Sequence, residues 1–189
     1  MSAPRSKVLI QMSGAPGSGK STLARLLGSS MQGVVVNHDV LRSSFLASGL
    51  AFEQAAQHAY KLQWTLVEDF LSQGLSVIVD STCNYQMVLD QGTMLAERHG
   101  CGYWYVECAT EDVEELDRRL RGRTPMLSQR SAVDEPPVGA AARDPGRDQR
   151  KLYASRMMNP RRPAENAVVV RATDEPSKLR DEVLKRVFG

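Results

Sequence analysis

No other stretch narrows the fold of this 189-residue chain as sharply as Gly14-Ala15-Pro16-Gly17-Ser18-Gly19-Lys20-Ser21. It fits the spacing G-x-x-x-x-G-K-[ST] without a gap. Val8-Leu9-Ile10-Gln11-Met12-Ser13 before it reads as a buried strand, and Thr22-Leu23-Ala24-Arg25-Leu26-Leu27 after it reads as a helix. Strand, glycine-rich turn and helix N-terminus are the context in which such a run cradles phosphate. Glycines admit backbone dihedrals closed to other residues and bring main-chain N–H groups against an anion. The first helical turn adds unpaired donors and the positive end of the helix dipole. Lys20 is expected to reach the β- and γ-phosphates, and the Ser21 hydroxyl to sit on Mg²⁺. Gly14, Ala15, Pro16, Gly17, Ser18, Gly19, Lys20, Ser21 and Thr22 therefore form the candidate nucleotide-binding run.

The length suits one domain over residues 1–189, with enough chain for a sizeable core. No apolar run approaches the ~18–20 residues of a membrane span. Met1 to Lys7 lacks the apolar segment of a secretory signal. Cys83, Cys101 and Cys108 show neither a C-x-x-C pair nor metal-ligand spacing, so they read as free thiols in a reducing, cytoplasmic setting. The net charge of +2 hides an asymmetry: Arg118 to Arg162 holds 12 Lys/Arg against 4 Asp/Glu, and the rest is net acidic. A basic segment of that kind can meet a polyanion or lie solvated as a loop.

Apolar β-branched runs alternate with helical patterns along the chain. Gly33–Asn37 reads as the second strand, followed by His38-Asp39-Val40-Leu41-Arg42. In open α/β sheets ligands bind beyond the carboxyl ends of strands, which puts Asp39 and Arg42 beside the phosphate site. Asp39 could equally cap a helix there. Ala51 to Gln73 is a helix closed by Gly74, and Leu75–Asp80 is the third strand, ending in a carboxylate. Asn84 to His99 is a helix closed by Gly100, and Tyr103–Cys108 is the fourth strand. Thr110 reads as an N-cap, with Val113, Leu116 and Leu120 on the helix face that follows. Gly122 to Gly146 breaks the pattern with prolines and arginines and reads as a lid, over about residues 122–147. Asp148–Met158 is helical, Ala167–Val170 is the fifth strand, and Pro176–Phe188 is the closing helix. Five strands interleaved with helices give an α/β fold, a mainly parallel sheet covered on both faces.

The phosphate loop, the Asp39-x-x-Arg42 pair, the strand ending at Asp80 and the arginine-rich segment together resemble the small P-loop kinases. The nearest likeness is to the AAA-type ATP-binding kinase group that holds the polynucleotide 5′-hydroxyl kinases, the chloramphenicol phosphotransferases and the zeta-toxin-like kinases. That resemblance implies a three-layer α/β/α P-loop NTPase fold, a five-stranded parallel sheet of order 2-3-1-4-5 and a lid. It implies ATP and Mg²⁺, with Asp39 as the base for the acceptor hydroxyl, Arg42 as an acceptor clamp and Asp80 orienting the metal. Lid arginines, from among Arg119, Arg123 and Arg130, would meet the phosphates, and Arg161-Arg162-Pro163 would sit by the adenine. The group often continues with Thr-Asn soon after the strand-end aspartate. Here the run is Asp80-Ser81-Thr82-Cys83-Asn84-Tyr85, which leaves open whether Thr82 or Asn84 faces the acceptor.

The resulting expectation is an ATP-dependent transfer to a hydroxyl of a small molecule. Tyr60, Trp64, Tyr85 and lid residues would build the acceptor pocket, and His38 would be a bystander. A polynucleotide 5′-hydroxyl kinase and a nucleotide-binding module with little or no hydrolysis are the alternatives. The basic segment favours the first of these, the absence of a nucleic-acid motif disfavours it, and the presence of both Asp39 and Asp80 disfavours the second.

Overall fold

The structure is a computed structural model and describes residues 6–140, 148–157, 160–172 and 174–189. Five strands, β1 (Val8–Gly14), β2 (Val34–Asn37), β3 (Val77–Asp80), β4 (Gly102–Ala109) and β5 (Ala167–Arg171), form one sheet. Their order is 2-3-1-4-5, as the resemblance implies, and every pairing is parallel. β1 lies at the centre, with Leu9 beside Val77 of β3 and Ile10 beside Trp104 of β4.

Period-two alternation divides the core between the two faces of the sheet. Ile10 and Met12 pack with Leu23 and Leu27 of α1 (Lys20–Met31) and with Leu179 and Val183 of α7 (Pro176–Phe188). Leu9, Val77 and Val79 face the other way, against Val67 and Leu71 of α3 (Phe52–Ser72) and Leu95 of α4 (Gln86–Arg98). Both faces are covered, which explains why β1 and β3 read as continuous apolar runs. No helix among the described residues is long and apolar enough to cross a membrane.

Several helix starts differ from the sequence reading. α2 (His38–Ala47) is capped by Asn37, whose Oδ1 accepts from Val40 N at 3.0 Å, so Asp39 lies inside the first turn. α5 (Val113–Arg121) is capped by Asp112, which accepts from Glu115 N at 2.9 Å. Thr110 stands too far ahead of the first helical residue to do this and accepts from Asp112 N instead, at 3.2 Å. α4 begins at Gln86 rather than Asn84, because Tyr85 is still extended. The later helix, α6, spans Gln149–Met157, and its expected end at Met158 lies outside the described residues.

Of the expected lid, residues 122–140 are described. They form a folded segment with an Arg130–Pro137 antiparallel bridge and a short 3₁₀ turn at Val138–Ala140. Val133, fully buried, anchors it against Leu116 and Leu120 of α5 and Tyr153 of α6. The rest of the lid expectation, residues 141–147, lies outside the described residues.

Candidate active site

The loop between β1 and α1 is shaped by three glycines with positive φ: Gly14 at +130°, Gly17 at +91° and Gly19 at +86°. A Cβ on Gly14 would stand 2.6 Å from the Cys108 carbonyl oxygen and 2.8 Å from Ser18 Oγ, so the loop closes tightly on β4. A Cβ on Gly19 would meet nothing within 4 Å, because that side opens into a cleft. The turn is fixed by Ser18 N donating to Ala15 O at 3.1 Å. The first helical bond runs from Leu23 N to Gly19 O at 3.0 Å, so the N–H groups of Lys20, Ser21 and Thr22 have no partner within the helix. Ser18 Oγ is buried and also lacks a hydrogen-bond partner. Unpartnered donors at the positive end of a helix suit a phosphate chain.

Lys20 and Asp80 meet at the mouth of this loop. Lys20 Nζ lies 3.4 Å from Asp80 Oδ1, and both side chains are almost wholly buried. Asp80 Oδ2 accepts from Asn37 Nδ2 at 2.5 Å, whereas Oδ1 makes no hydrogen bond. A carboxylate oxygen that meets only the Lys20 ammonium among the described residues, in the cleft that Ser21 also lines, is a fitting donor for Mg²⁺, which takes one or two carboxylates with substrate phosphates. Among the described residues there is no cluster of three or more His, Cys, Asp or Glu that could hold a metal without such help.

Asp39 projects from the first turn of α2 into the same cleft. Its Oδ1 accepts from Ser128 Oγ and its Oδ2 from Gln129 Nε2, both at 2.9 Å. Ser43 Oγ accepts from Ser128 N at 3.1 Å, so the lid segment is stitched to α2. Burial pushes the Asp39 carboxyl up, but the Lys20 charge and the two lid hydrogen bonds outweigh it and hold the carboxyl below the ordinary carboxylate range. The group is thus ionised at neutral pH and held in the cleft.

The structure separates the arginines. Arg42 is held at the start of α3, stacked 3.8 Å over the Phe52 ring with Nη2 donating to Phe52 O at 3.2 Å, and it lines the cleft. Arg119 reaches back to Glu115 and donates to Ala172 O at 2.9 Å, where the β5 end and α7 close the far side of the cleft. Among the described residues, Arg123 reaches only the Arg130 carbonyl, at 3.4 Å, and its buried Nε has no hydrogen-bond partner. Burial lowers its pKa, with Asp39 and Tyr153 acting against that. Arg130 is deeply buried and donates to the carbonyls of Val133 and Glu135 and to Gln149, which makes it a brace of the lid as well as a wall of the cleft. Arg162 does not line the cleft that holds Lys20 and Asp39: it forms a two-point pair with buried Glu107, at 2.7 and 2.8 Å.

The loop, Asp39, Arg42, Asp80, Arg119, Arg123 and Arg130 all line one cleft of about 670 Å³. A smaller cavity of about 280 Å³ adjoins it behind Ala15 and Pro16 and holds the Glu107–Arg162 pair. Thr82 lines both cavities, whereas Asn84 lines only the smaller. Of the expected acceptor aromatics, Tyr60 lines the cleft, Trp64 packs into the core, and Tyr85 is 60 % exposed and lines neither cavity. Tyr85 sits one residue before α4 in extended backbone, which turns it outward.

Sequence reasoning missed Asn37, Ser128 and Gln129 and set His38 aside. The Ser128 and Gln129 contacts to Asp39 span 89 and 90 residues, and no local pattern announces them. An Asn before a helix was the one available signal, as a capping residue. All three cysteines are free, and burial pushes the Cys83 and Cys108 thiols up to about 12, so neither serves as a nucleophile at neutral pH.

The fold is shared with solved kinases. A candidate kinase of Chloroflexus aurantiacus j-10-fl superposes with TM-score 0.70 at 18% identity, covering 96% of each chain. The APS kinase of Mycobacterium tuberculosis, solved with AMPPNP and APS, gives 0.61 at 18%, over 98% of this chain and 99% of that one. A gluconokinase of Sinorhizobium meliloti 1021 gives 0.60 at 16%, over 97% and 93%. A comparison with curated protein sequences gives no match. Residues 9–142, which carry the phosphate loop, Asp39, Asp80 and the described lid, match the model of the AAA domain family AAA_33, and the chain belongs to that family, with the fold of the small P-loop kinases.

Proposed function

We propose that this chain is an ATP-dependent phosphotransferase that moves the γ-phosphate of ATP to a hydroxyl of a small-molecule acceptor. The observation that carries the reading is the placing of Asp39: an ionised carboxylate fixed by two lid hydrogen bonds, in the same cleft as the phosphate-binding loop. Binding a nucleotide requires no such group. Transfer to a hydroxyl does, because the oxygen loses its proton as it meets phosphorus.

In this reading the loop from Gly14 to Thr22 holds the phosphates through its N–H groups, and Lys20 places its charge on the β- and γ-oxygens. Ser21 and Asp80 would hold Mg²⁺, which when bound neutralises charge on those phosphates. Asp39 orients the acceptor hydroxyl and takes its proton while the acceptor oxygen bonds to the γ-phosphorus and the bond to the β–γ bridging oxygen breaks. Arg123, a half-buried guanidinium with no carboxylate ion pair among the described residues, meets charge that spreads over the transferring group, and Arg130 supports it. Arg42 clamps the acceptor, and Arg119 borders the nucleotide side. The fold neighbours named for APS and gluconate phosphorylation favour a small acceptor.

Incubation with γ-labelled ATP tests this directly. One arm holds a small-metabolite extract and the other 5′-hydroxyl oligonucleotides, each with an Asp39→Asn control. Label in a small organic molecule that vanishes in the variant is the expected result. Label on the oligonucleotide would replace the acceptor class, and release of free phosphate alone would replace transfer by hydrolysis. Among the described residues, the basic segment offers little to a nucleic acid. Arg118, Arg119, Arg121, Arg150 and Arg162 are all paired with carboxylates of the same chain.

A further inference from the structure

His38 has a place that the phosphotransfer reading does not use. It is the first residue of α2, directly before Asp39, and its ring lines the cleft while remaining 8% exposed. Its Nδ1 lies 3.1 Å from Gln63 Oε1, and its ring lies against Tyr60 with centroids 4.2 Å apart and the planes tilted by 40°. Gln63 belongs to the buried stripe of α3 formed by Ala55, Ala59, Gln63, Val67 and Leu71. An amide in that apolar stripe, 0% exposed and with its Nε2 unpartnered, has the His38 ring as the one partner of its oxygen among the described residues.

An amide oxygen can only accept, so Nδ1 must donate, and a neutral ring then carries a bare lone pair on Nε2. No group among the described residues binds that Nε2, and it is not sealed off in the core. Two hydrogen-bond acceptors therefore come from adjacent residues of the first turn of α2 into one cleft: the Asp39 carboxylate and His38 Nε2. Resting on the phosphotransfer reading, we propose that His38 Nε2 binds a second hydroxyl of the acceptor, adjacent to the one that Asp39 orients, so that the substrate class is a polyol or sugar-like molecule rather than a monohydric alcohol. Tyr60 holds the ring in place, and Gln63 sets which nitrogen faces the ligand. An ammonium group could also donate to Nε2. The cleft disfavours it, because five cationic side chains line it (Lys20, Arg42, Arg119, Arg123 and Arg130) against the four carboxylates Asp39, Asp80, Asp174 and Glu175. Burial lowers the His38 pKa, with Arg42 and Lys20 reinforcing it and Asp39 and the Gln63 hydrogen bond opposing, so the ring is neutral at neutral pH.

Ring-¹⁵N histidine labelling of the full chain tests the proposal, with His38→Asn identifying its signal among the three histidines. The tautomer read from the ring nitrogens at pH 7.5 is expected to be Nδ1–H. Glycerol, 1-propanol and ethanolamine are then added separately at equal concentration to the protein with a non-hydrolysable ATP analogue. Glycerol is expected to move the His38 Nε2 resonance toward the hydrogen-bonded value, and 1-propanol and ethanolamine to leave it in place. Gln63→Leu, which removes the tautomer's partner while keeping side-chain volume, is expected to weaken the glycerol response several-fold. An Nε2–H tautomer, an Nε2 resonance that glycerol leaves unmoved, or one that 1-propanol or ethanolamine moves equally overturns the proposal. The two readings fail separately. A glycerol response without transfer of label from ATP removes phosphotransfer, and transfer with an unmoved His38 removes the second-hydroxyl contact.

Discussion

Asn37 ties Asp80 to the start of α2: its Nδ2 donates to Asp80 Oδ2 at 2.5 Å while its Oδ1 accepts from Val40 N at 3.0 Å. One amide thus orients the strand-end carboxylate and caps the helix that carries His38, Asp39 and Arg42. The last residue of β2 and the last of β3 are register partners, which brings the two side chains together. Asn37→Ala removes both bonds. It is expected to lower stability by about 1–2 kcal/mol, the usual cost of a lost cap together with a charged acceptor left short of a donor. Phosphotransfer should fall more steeply than ATP binding. Urea unfolding and calorimetric ATP titration on the same variant check both parts.

Asp39→Asn keeps the shape of the side chain and removes its proton-accepting charge. ATP affinity is expected to hold, while label transfer drops by at least about 10²-fold, the lower range for a lost general base. A variant that transfers at the wild-type rate would remove Asp39 from the mechanism.

The same carboxyl makes stability depend on pH with a definite sign. Its folded pKa lies below the ordinary value near 3.8. Its contribution is therefore complete above that ordinary value and is lost as pH falls through the lowered folded value. Wild type should lose stability relative to Asp39→Asn across that acid window and run parallel to it from pH 5 upward (a bound of about one unit above the carboxylate range). Denaturant midpoints at stepped pH give the difference curve, and parallel curves throughout would show that the carboxyl is not specially held.

The lid donors should set the basicity of Asp39. Ser128→Ala with Gln129→Leu removes both hydrogen bonds to the carboxylate, leaving burial, which pushes the carboxyl up, and the Lys20 charge, which pulls it down. The acid limb of the kcat profile is expected to move to higher pH in the double variant and to stay in place in Ser44→Ala, an exposed residue of the same helix.

How much of this was legible beforehand follows from the range of each signal. The strands announced themselves because burial on both faces leaves continuous apolar runs, as in Leu75–Val79 before Asp80. The phosphate loop was legible because all its chemistry lies in nine consecutive residues. Asp39 and Asp80 were legible because a carboxylate at the carboxyl end of a strand has a known place in such a sheet. The partners of those groups were not. Arg130 reads as a lid arginine that would meet the phosphates, and nothing local announces the carbonyls of Val133 and Glu135 that it also braces. Arg162 reads as a neighbour of the adenine, and its partner Glu107, 55 residues away, has no local signal. Asp112 displaced Thr110 as a cap because the helix begins two residues later than the threonine would require. Tyr85 was expected in the pocket, and the extended backbone before α4 turns it to solvent.

Tyr153 pins the lid helix α6 to the phosphate loop: its hydroxyl donates to Pro16 O at 2.6 Å, and its ring packs against Leu116, Leu120 and Val133. Tyr153→Phe keeps the ring and removes the bond. The expected cost is about 1 kcal/mol of stability, with a carbonyl of the loop left without its donor. ATP affinity should weaken by several-fold as the loop loses its brace. Tyr153→Ala should cost more, about 3–5 kcal/mol, because it also empties the ring's place in the lid cluster. Equal losses in the two variants would show that the ring, and not the hydroxyl, does the bracing.

Arg162 and Glu107 form the pair that separates a structural arginine from a nucleotide-binding one. Glu107 is 5% exposed in its side chain, accepts from Tyr105 Oη at 2.8 Å and takes two bonds from the half-exposed Arg162. Removing the arginine leaves a buried carboxylate with a single donor. Arg162→Ala is expected to destabilise by about 1–3 kcal/mol, below the range for a fully buried broken pair because water reaches the guanidinium side. Adding Glu107→Gln to it should recover most of that loss, since the buried charge is then gone. ATP affinity should be unchanged in both variants, because the pair lines the smaller cavity and not the cleft of the phosphate loop. Weaker ATP binding in Arg162→Ala that Glu107→Gln does not restore would return the arginine to the nucleotide side.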